Sequence, residues 1–503
     1  MTKFDLQKTV ETLNSNIAQL QTQLDKQTQL LQMQMEQINS LLDQVAELNT
    51  QLLQKDEEIA RLKEQLNKNS KNSSKPPSSD GYKKPSPKST REKTGKKQGG
   101  QPGHQGVNLA QRTPDRIVGC MPSKCSKCPH HDECVKNAEV LERRQVIDAV
   151  VKVEVVEYDR CRVKNCPLHG WTREGDFPVG VNGVIQYGEN LQALVVSLNT
   201  VGAVSIARTH EILSSVFDIP LSCGTISSMV SNCAGNLKGV IAKIGERLTE
   251  SQVDNADETG VRVDKKLHWV HVLCNKSYTL LKLHAKRGWK GMEDIGYILH
   301  FHGILVHDCW ASYWKHPGKI THAVCCAHLL RELSGIEENY PKYTWPTAFK
   351  KLLLEMKAVR DRQFAKGLES LSYYYQHKFG LMYDEIIKTA YEETPLPEPK
   401  PGKKKGRQKR GKVLSLIDRL KEYKGAVCLF IKDFVVPFDN NQAERDLRMT
   451  KAKSKISGCF RTFDGAQEYL DVMSYASTAK KLGHNAYWAI KNAISGNPDA
   501  IFA

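Results

Sequence analysis

From residue 6 to residue 66 the chain holds an unbroken seven-residue repeat with no glycine and no proline, which commits the stretch to a long helix with an apolar seam. Position a is Val10, Ile17, Leu24, Leu31, Ile38, Val45, Leu52, Ile59 and Leu66, and position d is Leu13, Leu20, Gln27, Gln34, Leu41, Leu48, Lys55 and Leu62. Apolar positions spaced 3.5 residues apart on average imply a left-handed coiled coil over residues 1–66. β-Branched residues at several a sites with Leu at most d sites favour a parallel dimer, so self-association as a dimer or higher is expected. Gln27, Gln34 and Lys55 give up stability and would fix register or partner. A helical hairpin within one chain is the competing reading.

At 503 residues the chain is too long for one simple domain, and roughly two to four folded units with linkers are expected. Residues 67–119 turn abruptly to Ser, Pro, Gly and Lys and can bury no core, so they read as a flexible basic linker. Within them SSKPPSSD and GGQPGHQG are more specific than a spacer needs. This linker carries twelve Lys/Arg against three acids, and residues 400–412 carry eight Lys/Arg and no acid, which together account for the whole formal charge of +17. Positive charge so concentrated fits a polyanion, double-stranded DNA first, because each neutralised phosphate releases counterions; solvated tails are the alternative. No run approaches the ~20 apolar residues of a membrane span, and MTKFDLQKTVETLN has no apolar signal-peptide core, so a cytoplasmic protein with no membrane partner is expected.

Without a secretion signal, fourteen cysteines argue against a disulfide framework, and six of them crowd into Cys120–Cys166. Cys125-x2-Cys128 and Cys161-x4-Cys166 are two thiolate pairs able to close a structural tetrahedral Zn²⁺ site, so residues 120–170 read as a zinc-binding domain. Cys120, His130, His131, Cys134 and His169 lie nearby and leave the ligand set open. Residues 171–250 read as helical. A helix, a turn around Ile219–Cys223 and a second helix resemble a helix-turn-helix that would offer Thr225, Ser227 and Ser228 to a major groove. Few basic residues flank it, and ordinary helical packing is the alternative.

From Ser251 the pattern becomes β. VDNADETGVRV, KLHWVHVLCN, SYTLLKLHAK and HGILVHDCW are four strand candidates, with a helix in RGWKGMEDIGYILHF before the last. Three antiparallel strands, a helix and a fourth strand match the start of a ribonuclease-H-like α/β fold, in which the first and fourth strands are neighbours. The expected architecture is therefore multidomain α/β, with a ribonuclease-H-like core beginning at 251–335, a helical insertion at 336–430, and 431–503 completing the core. That arrangement would bring Asp257 and Asp308 together. Asp257 has acidic neighbours Asp254 and Glu258 and could be a simple turn residue, whereas Asp308 ends the buried run ILVH, where a charge is more often functional. Glu444 lies in the helix-like NNQAERDLRMTKAK, where Arg448 at i+4 offers a plain salt bridge instead. Two strand-borne aspartates and a helix-borne glutamate can hold a pair of Mg²⁺ or Mn²⁺ ions for phosphoryl transfer.

The segments DADETGVRV, GILVHDCWASYW, VCCAHLLREL and DNNQAERDLRMTKAKSKISGCFRTFDGAQEYLDVMSYASTAKKLG resemble the transposases of the insertion-sequence-66 family. SSKPPSSD and GGQPGHQG look like that family's linker motifs, and the cysteine block like its zinc-binding domain, so the resemblance spans essentially the whole chain. It implies a DDE transposase with catalytic, metal-binding Asp257, Asp308 and Glu444, cutting at element ends and transferring strands into target DNA. It also implies a bacterial, nucleoid-associated location. Cys325-x2-His328 looks like the CxxH element found near the active site of transposases with a helical insertion, although buried packing would explain it equally well. Lys451, Lys453, Lys455 and Arg461 follow Glu444 in position to contact DNA phosphates, with a solvated face as the alternative, and PKPGKKKGRQKRGK is a further DNA contact. The four-residue spacing of Cys161 and Cys166 departs from the usual compact pair. A catalytically inactive DNA-binding assembly factor is the rival function, and the resemblance leaves open whether companion proteins of the same element take part. A glycosidase using paired acids would explain neither the charge nor the cysteines.

Overall fold

The computed structural model describes residues 3–68, 72, 111–149, 152–318, 320–395 and 410–503, which divide into two compact units, Met1–Tyr82 with Ile241–Lys451 and Lys83–Val240 with Ala452–Ala503. SSKPPSSD, GGQPGHQG and the basic tract at 399–412, apart from residues 410–412, lie outside the described residues.

The first unit is built on a five-stranded sheet. Its strands are β1 (Val253–Val263), β2 (Lys266–Cys274), β3 (Thr279–His284), β4 (Ile304–His307) and β5 (Thr321–Val324), in the order β3-β2-β1-β4-β5. β1 and β2 form a hairpin closed by Asp264 and Lys265, whose φ angles of 45° and 62° give the primed turn that suits strand twist. Between β2 and β3, Asn275 Oδ1 accepts the backbone N–H groups of Ser277 and Tyr278, so its side chain shapes the turn. The helix Trp289–Ile295 and a 3₁₀ turn at Tyr297–His300 then carry the chain to β4, which pairs with β1 in parallel. β5 adds beyond β4, also in parallel. At four residues, THAV is too short to show as a strand in the sequence.

β5 leads directly into the helix Cys326–Asn339, and the insertion follows as helices Trp345–Phe364, Tyr373–Glu393 and Gly411–Glu422. Phe349, Leu352, Leu353, Met356 and Val359 recur at helical spacing and are buried, together with Tyr383 and Ile417, in one apolar core that reaches Val306 and Val324 of the sheet. Residues Lys3–Asn67 form one continuous helix of 65 residues whose seam is exposed in the single chain, Leu24 at 63% and Leu52 at 64%. Its end is tied down. The Asn72 amide donates to Glu338 Oε2 at 2.7 Å, and a side chain on Gly335 would meet the Asn72 carbonyl at 2.4 Å.

In the second unit, helices Glu189–Asn199, Ile206–Phe217, Cys223–Asn236, Phe463–Lys481 and Ala486–Ile494 bury Val195, Leu213, Ile226, Leu470 and Ile490. The expectation that 431–503 stays with the sheet is therefore corrected after Lys451: residues 452–503 pack against 189–236. Ser222 caps the helix Cys223–Asn236 by accepting the Thr225 N–H, and Ser227 and Ser228 are exposed while Thr225 is half-buried. Among the described residues of 111–188 none is buried. Regular structure there is confined to a turn at Cys125–Lys127, the short helix His131–Lys136 and the strand pair Arg162–Val163 and Arg173–Glu174. Among the described residues no helix is long and apolar enough to cross a membrane.

Candidate active site at the ends of two parallel strands

The parallel register pairs Asn255 of β1 with Val306 of β4. Carried two residues further, it sets Asp257 beside Asp308, and because side chains alternate along a strand both carboxylates leave the same face of the sheet. Asp257 accepts the Glu258 N–H through Oδ1 at 2.9 Å, and Asp308 accepts the Trp310 N–H through Oδ1 at 3.0 Å. The turn after Asp308 is held in a strained form. Cys309 adopts φ 66°, the left-handed region that costs a non-glycine residue about 1–2 kcal/mol, and donates its N–H to His307 Nδ1.

Crowding in a part-buried site disfavours the charged form of an acid. Burial first, then the charges of Glu258 and Asp308, push the Asp257 carboxyl up to about 8, and burial with Glu258 likewise raises Asp308. Glu258 is satisfied differently. It is fully buried, its Oε1 takes two N–H groups of Arg287 at 2.8 and 2.6 Å, and its Oε2 takes the Tyr313 hydroxyl at 2.7 Å. The Arg287 guanidinium lies 4.2 Å from the Trp310 ring and 5.0 Å from that of Trp269, which fixes the pair beside Asp308.

Glu444 stands in the first turn of the helix Asn441–Ser457, where the backbone dipole favours an anion. Its Oε1 accepts from Arg331 at 2.9 Å and lies 3.8 Å from His328 Nε2. Arg331 and His328 share one face of the helix Cys326–Asn339, three residues apart. His328 is buried and its basicity is lowered by burial and then by Arg331, while its Nδ1 has no hydrogen-bond partner among the described residues. What aims Glu444 is Asn440, fully buried, which donates to the Ala256 carbonyl at 2.8 Å and accepts from the Asn255 amide at 2.7 Å. Cys325 joins this lacing, since its Sγ accepts the Asn440 N–H at 3.1 Å. Asn440→Ala leaves a buried amide and a buried carbonyl without partners, and should lower stability by about 2–3 kcal/mol. Urea unfolding reads this, and an unshifted midpoint would remove Asn440 from its anchoring role.

Of the four basic residues expected at DNA phosphates, Lys451 lies two helical turns beyond Glu444, and its charge reaches Asp257 and His328. Lys455 and Arg461 are exposed. Lys453, expected to meet DNA phosphates, does something else. It is only 6% exposed and donates to the carbonyls of Asn199 and Val204 at 2.9 Å each, and burial lowers its ammonium to about 8. Glu258, Arg287, Tyr313, Arg331 and Asn440 were not singled out from the sequence. Arg331 could have been, from its one-turn spacing after His328.

Cys125 and Cys128 are half-buried at either end of one turn, with the Cys128 N–H donating to the Cys125 carbonyl at 3.1 Å. Cys161 and Cys166 flank the strand Arg162–Val163, Cys161 exposed and Cys166 half-buried. Among the described residues no three His, Cys, Asp or Glu side chains stand close enough together to hold a metal ion as placed. The donor chemistry nonetheless suits one at the sheet, where carboxylates that repel one another offer hard oxygen ligands to a divalent cation.

A family model of unknown function, DUF6444, matches residues 5–110. No curated protein matches the chain. The model of the transposase IS66 family matches residues 184–468, more than half of the chain and a span that includes Asp257, Asp308 and Glu444, and the protein belongs to that family.

Proposed function

We propose that the protein cuts DNA at the ends of an insertion sequence and joins the freed ends to target DNA, through a ribonuclease-H-like core whose Asp257, Asp308 and Glu444 are the DDE carboxylates. One observation carries the reading: the parallel register sets two strand-borne aspartates side by side, where burial and neighbouring charge raise both carboxyls, and the segment that opens the Glu444 helix is bonded to the same strand. Two Mg²⁺ or Mn²⁺ ions, when bound, would activate the attacking oxygen and neutralise the leaving one. Asp257 and Asp308 each accept a backbone N–H through Oδ1, and on this reading they and Glu444 would hold the ions.

In the cutting step, water oxygen bonds to phosphorus as the bond from phosphorus to the 3′ oxygen breaks, leaving a 3′-hydroxyl on the element. In the joining step, that hydroxyl loses its proton and bonds to a target phosphorus, and the target's departing 3′ oxygen takes up a proton. Lys451, Lys455 and Arg461 are the cations we place against DNA phosphates. The exposed seam of Lys3–Asn67 suits pairing with another copy. A structural Zn²⁺ on Cys125, Cys128, Cys161 and Cys166 suits a segment with no buried residue among those described. DNA carrying the element's terminal repeats, incubated with the protein and Mg²⁺ or Mn²⁺, should yield ends bearing a 3′-hydroxyl. Tight binding with no cutting at any metal concentration would establish the inactive assembly factor instead.

A further inference from the structure

Glu258, which neighbours Asp257 and Asp308, and Glu444 are each paired with an arginine, and the pairs are built differently. Glu258 is saturated: both oxygens accept, from Arg287 and from the Tyr313 hydroxyl, and the side chain is fully buried. It has no oxygen left to offer. Glu444 accepts a single bond, from Arg331 Nη2 to Oε1, and both side chains keep some solvent contact, Arg331 at 26% and Glu444 at 33%. Arg331 is itself steadied by donating Nε to the Ala327 carbonyl one turn back, at 3.3 Å.

We propose that Arg331 is the positioning residue of Glu444, a built-in counter-ion that holds the carboxylate by one oxygen and yields it to a divalent ion; this rests on the metal-dependent reading above. Geometry gives Arg331 both halves of the role. The helix that carries it also carries His328, whose Nε2 lies 3.8 Å from the same Glu444 Oε1 that Arg331 holds at 2.9 Å, so both side chains converge on one carboxylate oxygen. A fixed positive charge there holds Glu444 in place through its one bonded oxygen. The same charge opposes a doubly charged cation drawn to Glu444, whose Oε1 the guanidinium touches at 2.9 Å. Metal affinity is thereby held below what the carboxylates alone would give, and Glu444 swings from Arg331 to the ion only when the ion arrives.

The test is Mn²⁺ binding to the full-length protein, followed by the loss of the free-ion paramagnetic resonance signal, with thermal unfolding alongside. Arg331→Gln should bind Mn²⁺ roughly tenfold tighter than the native chain, because a like charge has been removed from the site. It should also melt lower without metal and show a larger rise in Tm on adding Mn²⁺. Arg331→Lys, which keeps the charge, should stay within about twofold of native affinity. A merely structural arginine would lower Tm with and without metal and leave affinity unchanged or weaker, and that result overturns the proposal. Should Arg331→Gln fail to fold, the native chain decides: Mn²⁺ should raise modification of Arg331 by phenylglyoxal, mapped by mass spectrometry, and unchanged modification overturns the proposal. If Asp308→Asn binds Mn²⁺ as the native chain does, the metal-dependent reading itself fails, and the role of Arg331 fails with it.

Discussion

Asp308→Asn should cut divalent-ion-dependent strand cleavage by roughly 10³-fold or more, about 4 kcal/mol of barrier, while leaving the protein at least as stable as before. The loss follows from the proposed role, since an amide oxygen carries no charge to hold a cation and cannot offset charge building on the leaving oxygen. The retained stability follows from the geometry. The carbonyl oxygen of the substituted amide can still accept the Trp310 N–H, as Asp308 Oδ1 does, so the turn at the strained Cys309 survives. Removing one charge also relieves the repulsion that helps raise Asp257. Most substitutions of buried polar groups lose activity and stability together, so a variant that loses one and keeps the other is diagnostic. Glu258→Gln supplies the contrast. It strips the charge from a buried pair and leaves Arg287 poorly matched, which should cost on the order of 3 kcal/mol of stability. Single-turnover cleavage of labelled end DNA and urea unfolding separate the two cases. An Asp308→Asn protein that cuts within about tenfold of the native rate would remove Asp308 from the chemistry.

The sequence yields the residues of this site more readily than the forces that hold it. A run of apolar residues ending in a charge marks Asp308, and the order of three antiparallel candidates, a helix and a fourth strand is enough to place β4 beside β1. Register then does the rest, because a two-residue period allows only one face for each side chain. Glu444 is harder, since helical spacing supports an ordinary bond to Arg448 as well as a site role. The partner it has, Arg331, is 113 positions away in sequence, and its one-turn spacing after His328 does not say that Glu444 is what it holds. Asn440 is hidden for the same reason, since its bonds reach Cys325, 115 residues away, and Asn255 and Ala256, 185 and 184 residues away; the sequence marks Cys325 but not this bond. Lys453 fails as a DNA contact because sequence shows its charge but not the two carbonyls at Asn199 and Val204 that consume it. The helix Phe463–Lys481 has an apolar face that any core could cover, and nothing in its periodicity says that residues 189–236 supply that core.

In the absence of divalent ions, stability should fall as pH rises from about 4 to about 8 and level off above. The Asp257 carboxyl releases its proton near 3.8 when solvated but holds it up to about 8 in the folded chain, so between these values the folded state binds a proton that the unfolded state does not. The slope of unfolding free energy with pH is then negative throughout that window. This is opposite to the usual salt-bridged carboxylate, whose stabilisation is lost as pH falls. At about 1.4 kcal/mol per unit, and allowing for partial solvent access, the drop should be roughly 3–5 kcal/mol. Asp257→Asn removes the titrating group and should flatten the curve, raising stability at about pH 9 far more than at about pH 5. Mn²⁺ should flatten it too, by a different route, because a cation that binds the ionised carboxylates offsets the repulsion proton uptake otherwise relieves. Urea midpoints across about pH 4–9, for the native chain and Asp257→Asn, with chelator and with Mn²⁺, distinguish these effects. A native chain whose metal-free stability does not fall between about pH 5 and about pH 8 would mean that Asp257 and Asp308 are not crowded as the parallel register places them, and the case for a shared cation site would lose its physical basis.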